Sequence, residues 1–162
     1  MSPDPLDAKL DVNLRVADID RSRQWYAKVF GTEPIYQGVD RSVDGVATAI
    51  VCFRLAGVKC WLYPRDPAAP QSHEPQLHEQ QLHEQQSHGP QSIGLAFMTA
   101  QPLGPLRKEL EARGASFDDS ETPGFPIDED GVRQGKDAEF IWMLDPDGHH
   151  LEFCRALALS KT

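Results

Sequence analysis

The residues best suited to chemistry lie near the end of the chain, in an apolar stretch that runs from residue 139 to residue 154. Residues 145–148 read Asp-Pro-Asp-Gly, which predicts a tight turn because Pro presets φ, Asp side chains bond nearby backbone, and Gly accepts a positive φ. In the strand after this turn, alternation places His150 and Glu152 on one face. A carboxylate inside such a strand faces either solvent or a cavity, and desolvation in a cavity would raise its pKa toward the range of a general base.

The first half of the chain predicts a strand, a helix and three further strands. Residues 10–17 alternate apolar and polar side chains, as expected of a half-buried strand. Asp18 or Asp20 is the expected N-cap of the helix, and Gly31 is the expected residue that ends it. The next strands are predicted at residues 34–39, 46–55 and 58–63.

The second half repeats the same βαβββ order. A strand at residues 92–98 precedes a helix at residues 102–112, and the remaining strands are predicted at residues 115–118, 139–144 and 149–154. Residues 120–134 form a Pro-, Gly- and acid-rich loop, which is long for a compact domain and therefore predicts a functional role.

These patterns divide the chain into modules and connecting segments. We expect a flexible leader at residues 1–9, a first module at 10–66, a linker at 67–91, a second module at 92–156 and a tail at 157–162. Within the linker, residues 71–90 are four tandem Gln-x-His-x-x pentapeptides that hold four of the six histidines. Such a tract could scavenge metal, but a period of five residues does not stack histidines on one helical face, and we interpret it as a repeat expansion in a tolerant loop.

Composition narrows the possible partners and compartments. The 162 residues carry a net charge of −9, which argues against nucleic acid and anionic membranes. Cys52, Cys60 and Cys154 lie in separate apolar runs, so we expect buried, reduced thiols in a cytoplasmic protein. The first residues lack the pattern of a signal peptide, and no apolar run is long enough to span a membrane. Glycine-rich phosphate-binding motifs are also absent from the sequence.

Two segments carry a family resemblance, residues 14–31 and residues 145–153 with their Asp-Pro-Asp-Gly-His-His-Leu-Glu-Phe sequence. The chain resembles the vicinal oxygen chelate superfamily, which includes glyoxalase I, extradiol dioxygenases, and fosfomycin and bleomycin resistance proteins. The resemblance implies an α+β fold of tandem βαβββ modules, each a curved mixed sheet, that together form a half-open barrel around a cavity. The fold hosts many activities, so it does not by itself give the function.

The resemblance also implies where metal ligands would lie. Metal-dependent members bind Fe, Mn, Ni or Zn through side chains on the first and last strands of each module. Those positions fall at Asp11, at Trp61 (or Cys60 if the register slips by one), at Ser92 and at Glu152. Because only Glu152 matches the residue of the metal enzymes, we expect that the ancestral metal site is lost and that no cofactor is bound; a divalent metal is the alternative.

A cavity of this composition is expected to bind a small molecule. Carboxylates beside aromatic rings suit a planar or cationic guest, by stacking, cation–π contact and ion pairing. This resembles the bleomycin-resistance branch, whose members sequester an antibiotic, usually as homodimers. The expected site comprises the acids Asp11 and Glu152 and the ligand-binding residues Arg15, Trp61, Tyr63, Ser92 and Trp142.

Two other interpretations stay open. In an enzyme with lyase, isomerase or dioxygenase-like chemistry, Glu152 would be a metal ligand or a general base, assisted by Asp11 or His150. In a purely structural role, Glu152 would be a buried carboxylate tied to Arg15 or to a backbone donor, in a protein that keeps only the fold.

Overall fold

A computed structural model describes residues 10–41, 47–65 and 94–157. The chain divides into two compact units, residues 1–64 and residues 65–162, here called the first unit and the second unit. The predicted leader at residues 1–9 and the pentapeptide tract at residues 71–90 lie outside the described residues.

The first unit has the predicted βαβββ order. Its elements are β1 (Asp11–Val16), α1 (Ile19–Phe30), β2 (Tyr36–Asp40), β3 (Thr48–Leu55) and β4 (Val58–Pro64). The strands form a sheet in the order β1-β4-β3-β2, in which β1 pairs with β4 in parallel and the other pairs are antiparallel. The sheet is therefore mixed, as expected.

Helix α1 begins and ends at residues whose local chemistry explains both boundaries. Asp18 precedes the helix in an extended conformation, and its Oδ1 accepts a hydrogen bond of 2.9 Å from the backbone N–H of Arg21. Gly31 follows the helix in the left-handed region, with φ of 62°. Of the two N-caps considered, Asp18 is thus the one used, and Gly31 is confirmed as the C-cap.

The core of the first unit lies between the helix and one face of its sheet. Leu14 and Val16 on β1 and Tyr26 and Val29 on α1 are completely buried. The Tyr26 ring lies 5.9 Å from that of Phe53 on β3. Each such side chain contributes roughly 1.5–3 kcal/mol by leaving water. Because successive side chains of a strand alternate, the neighbours of Leu14 and Val16 lie on the opposite, helix-free face.

The second unit repeats this order with one additional strand. It contains β5 (Gly94–Met98), α2 (Leu103–Ala112), β6 (Ser116–Phe117), β7 (Arg133–Gln134), β8 (Ala138–Leu144) and β9 (His150–Ala156). The sheet order is β5-β9-β8-β6, with β5 parallel to β9, and β7 pairs with β8 outside this path. The prediction of a loop over residues 120–134 was incomplete, because its end forms the two-residue strand β7.

Helix α2 begins without a local side-chain cap. Pro102 occupies the N-cap position and provides no capping hydrogen bond. The carboxylate of Glu139 on β8 replaces it, since its Oε1 accepts from the backbone N–H of Leu103 at 3.4 Å. The same oxygen lies 2.7 Å from Nε of Arg155 on β9. A buried carboxylate from the sheet thus stabilises the positive end of this helix.

The turn between β8 and β9 uses the predicted chemistry. Oδ1 of Asp145 accepts from the backbone N–H groups of Asp147, at 2.9 Å, and His149, at 2.8 Å. Gly148 has φ of 84°, in the left-handed region that glycine tolerates best. This turn fixes where β9 starts and therefore which of its side chains lie on each face of the sheet.

The three cysteines are free and buried, as predicted. Burial raises the pKa of the Cys60 thiol to about 11, so this group is an uncharged core residue at neutral pH. Among the described residues, no helix is long and apolar enough to cross a membrane.

Candidate ligand-binding site

The centre of the candidate site is a hydrogen bond between an indole and a carboxylate on the helix-free face of the second unit. Trp142 on β8 lies directly opposite Glu152 on β9, so both side chains project from the same face. The indole Nε1–H donates to Oε2 of Glu152 at 2.7 Å. Trp142 is the sole hydrogen-bond donor to this carboxylate among the residues that the structure describes. Glu152 is only partly buried.

Aromatic rings surround this indole–carboxylate pair. The His150 ring meets the Trp142 ring edge to face, with centroids 5.7 Å apart. Phe125, from the loop between β6 and β7, lies 6.2 Å from Trp142 and 5.7 Å from Phe140. The predicted association of Glu152, His150 and Trp142 is therefore present in one unit, with a phenylalanine wall that the sequence did not indicate.

A buried arginine covers one face of the Trp142 indole. The Arg133 guanidinium carbon lies 4.1 Å from the centre of the Trp142 ring, and the residue is only 1% exposed. Its Nη2 donates to the carbonyl oxygens of Asp118, at 2.7 Å, and Ser120, at 2.8 Å, while Nη1 donates to Oγ1 of Thr122 at 3.1 Å. Arg133 thus ties the loop after β6 to the indole of the site.

The pKa of Asp118, an acid next to this arginine, is shifted by its surroundings. Burial pushes the pKa of the Asp118 carboxyl upward, but the hydrogen bond from the Ser120 backbone N–H and the nearby charge of Arg133 help to outweigh burial, and this pKa is lowered. The Asp118 carboxylate lies 3.9 Å from Nη2 of Arg133. The buried guanidinium therefore has a nearby counter-charge that stays ionised at neutral pH.

A second arginine holds the outer side of the same loop. Arg107 on α2 donates from both Nη atoms to the carboxylate of Asp119, each at 2.7 Å, and from Nη1 to the carbonyl of Gly131 at 2.7 Å. Hydrogen bonds from Arg107 lower the pKa of the Asp119 carboxyl against the opposing effect of burial. An open surface pocket of about 580 Å³ lies beside Arg107 and Asp119, and it is lined mainly by acidic side chains together with Arg107 and Lys108.

The first unit holds a related but looser arrangement. Nε1–H of Trp61 on β4 donates to Oδ2 of Asp11 on β1 at 3.2 Å. The Tyr36 ring lies 5.7 Å from that of Trp61. The exposed side chain of Arg15 lies 5.1 Å from the centre of the Tyr63 ring, the residue opposite it on β4.

The predicted site residues that the structure describes fall into two groups, one in each unit. It brings Glu152, Trp142 and His150 together in the second unit, and it forms two contacts in the first, Asp11 with Trp61 and Arg15 with Tyr63. Ser92 lies outside the described residues. Arg133 was missed because an arginine within a polar loop looks solvent-exposed, and only the length of that loop hinted at a role.

Among the described residues, the positions implied for metal ligands offer two carboxylates and no imidazole. Asp11 and Glu152 each accept a hydrogen bond from an indole, and Trp61 offers no donor atom to a metal. No group of three or more His, Cys, Asp or Glu side chains that could hold a metal ion occurs in residues 10–41, 47–65 and 94–157.

Comparison with known proteins agrees with the fold expected from the sequence. Residues 10–153 match the family model of the Glyoxalase/Bleomycin resistance protein/Dioxygenase superfamily. No curated protein matches the chain in sequence.

Solved structures share the fold at low sequence identity. A glyoxylase/bleomycin resistance protein/dioxygenase domain from Frankia sp. EAN1pec is 18% identical, with a TM-score of 0.59 over 94% of this chain and 93% of its own. A mutant of the fosfomycin resistance protein FosX from Listeria monocytogenes, complexed with Mn(II) and 1S,2S-dihydroxypropylphosphonic acid, is 15% identical. Its TM-score is 0.55 over 94% of this chain and 95% of its own. These likenesses concern the fold.

Proposed function

The chain belongs to the Glyoxalase/Bleomycin resistance protein/Dioxygenase superfamily, and from this premise we propose that it binds a planar small molecule carrying a protonated nitrogen or another N–H donor. The guest lies against the indole–carboxylate pair of Trp142 and Glu152. The ancestral metal takes no part in this binding. The function is recognition or sequestration rather than a metal-dependent reaction.

The observation that carries this proposal is the hydrogen bond from Trp142 to Glu152 at 2.7 Å. A carboxylate offers about four lone-pair positions, and the indole uses one of them. The remaining positions on the partly buried Glu152 can accept N–H groups from a guest. In a partly desolvated site, such charge-assisted hydrogen bonds are stronger than their counterparts in water.

The surrounding rings favour a planar guest. Phe125 and His150 flank the Trp142 indole, and flat molecules bury apolar area against such rings with little loss of conformational entropy. Arg133 already covers one face of the indole, so at most one face serves a guest. The positive charge of Arg133 also disfavours a diffuse cation over the ring, which is why we place the guest's donor at Glu152.

A test needs a guest of this class and a nearly isosteric control. Benzamidine is a planar cation with two amino groups at one end, and benzamide has nearly the same shape without the charge. We expect benzamidine to shift the indole N–H resonance of Trp142 in a two-dimensional NMR titration, with benzamide binding more weakly. In Glu152→Gln the benzamidine affinity should fall roughly tenfold or more, because a charge-assisted hydrogen bond is lost.

The fold of this variant decides between function and structure. Glu152→Gln should keep the unfolding midpoint of the unchanged protein. Unfolding of the variant would favour a structural role for Glu152, and a failure of both benzamidine and larger planar amines such as 9-aminoacridine to bind would contradict the proposal.

Metal analysis tests the metal-free part of the proposal separately. Protein without an affinity tag should lack stoichiometric Fe, Mn, Ni or Zn once residues 71–90 are deleted. Metal that survives this deletion would favour the metal-dependent enzyme, with Glu152 as a ligand, whereas metal lost with the deletion belongs to the histidine tract.

A further inference from the structure

We propose that Arg133 is a positioning residue of this site, which acts on the guest through Trp142 and Glu152 rather than by touching it. Its guanidinium fixes the indole from one side, and the indole in turn fixes the carboxylate. The last step, from carboxylate to guest, rests on the proposed function.

The strand register explains how Arg133 reaches the indole. On β7, Arg133 lies opposite Phe140 of β8, and Trp142 is two residues further along β8. Side chains two residues apart on a strand project from the same face. The guanidinium therefore extends along that face and lies over the neighbouring ring, 4.1 Å from its centre.

The anchoring of Arg133 is rigid enough for a positioning role. Nη2 donates to two carbonyl oxygens, of Asp118 and Ser120, and Nη1 donates to the Thr122 hydroxyl, so the plane of the guanidinium is fixed from several directions. The side chain is almost completely buried. A planar fork held in this way loses little further entropy when it packs on a ring.

The effect passes to Glu152 by contact and by charge. A cation over the face of an indole attracts its π electrons, which makes the Nε1–H a better donor. The donated bond to Glu152 is short, at 2.7 Å. The related indole of Trp61 has no cation over its ring among the described residues, and its bond to Asp11 is longer, at 3.2 Å.

Indole resonances measure this effect without any ligand. The chain has three tryptophans, and Trp142→Phe identifies the resonance of Trp142. In Arg133→Lys, which keeps the charge but cannot form the fork, we expect the Trp142 Nε1–H signal to move upfield and to exchange with solvent roughly tenfold faster. The Trp61 signal should stay in place, because its unit is unchanged.

Arg107→Met is the matched control. It removes the other arginine that holds the same loop, one that contacts Phe117 rather than Trp142. We expect it to leave the Trp142 signal unmoved. An equal movement in Arg107→Met would show general loosening of the loop and overturn the proposal, as would an unmoved Trp142 signal in Arg133→Lys. Arg133→Met additionally removes the charge and should move the Trp142 signal as well. If this variant does not fold, the result for Arg133→Lys alone tests the proposal.

Benzamidine separates this inference from the proposed function. If benzamidine binds the unchanged protein, its affinity should fall roughly tenfold in Arg133→Lys and stay the same in Arg107→Met. Equal affinity in Arg133→Lys, despite a moved Trp142 signal, would overturn the link to the guest. If benzamidine binds neither the unchanged protein nor Arg133→Lys while the Trp142 signal moves as expected, the proposed function fails. The positioning of Trp142 and Glu152 by Arg133 then still stands.

Discussion

The two units contain the same small motif in different settings. Each holds a tryptophan whose indole N–H donates to a carboxylate on a neighbouring strand, Trp61 to Asp11 in the first unit and Trp142 to Glu152 in the second. In the first unit the bond is 3.2 Å long and the carboxylate is exposed. In the second it is 2.7 Å long, and the buried Arg133 lies over the indole.

The difference lies in the segment that follows the strand after each helix. In the first unit, residues 41–47 separate β2 from β3, and residues 42–46 lie outside the described residues. In the second unit, residues 118–132 lie between β6 and β7 and carry the groups that hold Arg133. A similar sheet thus gives a more enclosed pair where an added loop covers it, in agreement with the general tendency of loops to carry specificity on a conserved scaffold.

Arginine substitutions should show the largest difference between the units. Arg133→Met leaves two partly buried carbonyl acceptors without their donor, and we expect it to lower the free energy of unfolding by about 3 kcal/mol. Arg15→Met removes an exposed side chain that contacts Tyr63, and its effect should stay below about 0.5 kcal/mol. Urea unfolding of both variants measures the contrast, and equal losses would show that the covered indole is no more constrained than the open one.

The residues that cap the N-termini of the two helices should differ less in their contribution to the free energy of unfolding. Glu139→Gln removes the charge that stabilises α2 and pairs with Arg155, which should cost about 2 kcal/mol. Asp18→Ala removes an ordinary N-cap from α1 and should cost about 1 kcal/mol. The same urea experiment compares them. A loss in Asp18→Ala that exceeds the loss in Glu139→Gln would mean that the long-range cap contributes little.

These contrasts also mark what the sequence could predict. Contacts between residues close in sequence could be predicted, because Asp18 precedes an amphipathic run and residues 145–148 have the composition of a turn. The α+β fold and the association of Glu152 with its neighbours followed from strand alternation and from the family resemblance.

Contacts between residues far apart in sequence could not be predicted. Glu139 lies 36 residues from the N–H group of Leu103 that it caps, and nothing near Pro102 indicates an absent cap. Arg133 reaches the site through a two-residue strand, too short to produce a periodic pattern. The long-range partners thus depend on the register of strands, which a single sequence does not specify.

Acid should produce the smallest effect, confined to the loop that distinguishes the second unit. Because Arg107 lowers the pKa of Asp119 in the folded protein, this carboxylate stabilises the fold above its unfolded pKa of about 3.9 and loses that contribution as pH falls through the folded pKa. The Asp119 side chain is 53% exposed, so solvent screening limits the contribution to less than about 1 kcal/mol. Asp119→Asn should therefore be less stable than the unchanged protein at pH 7, with the difference closing at lower pH. Urea unfolding from pH 7 to lower pH measures this difference, with the exposed Glu121→Gln as a charge-matched control. A difference that persisted unchanged in acid would contradict this account of the loop.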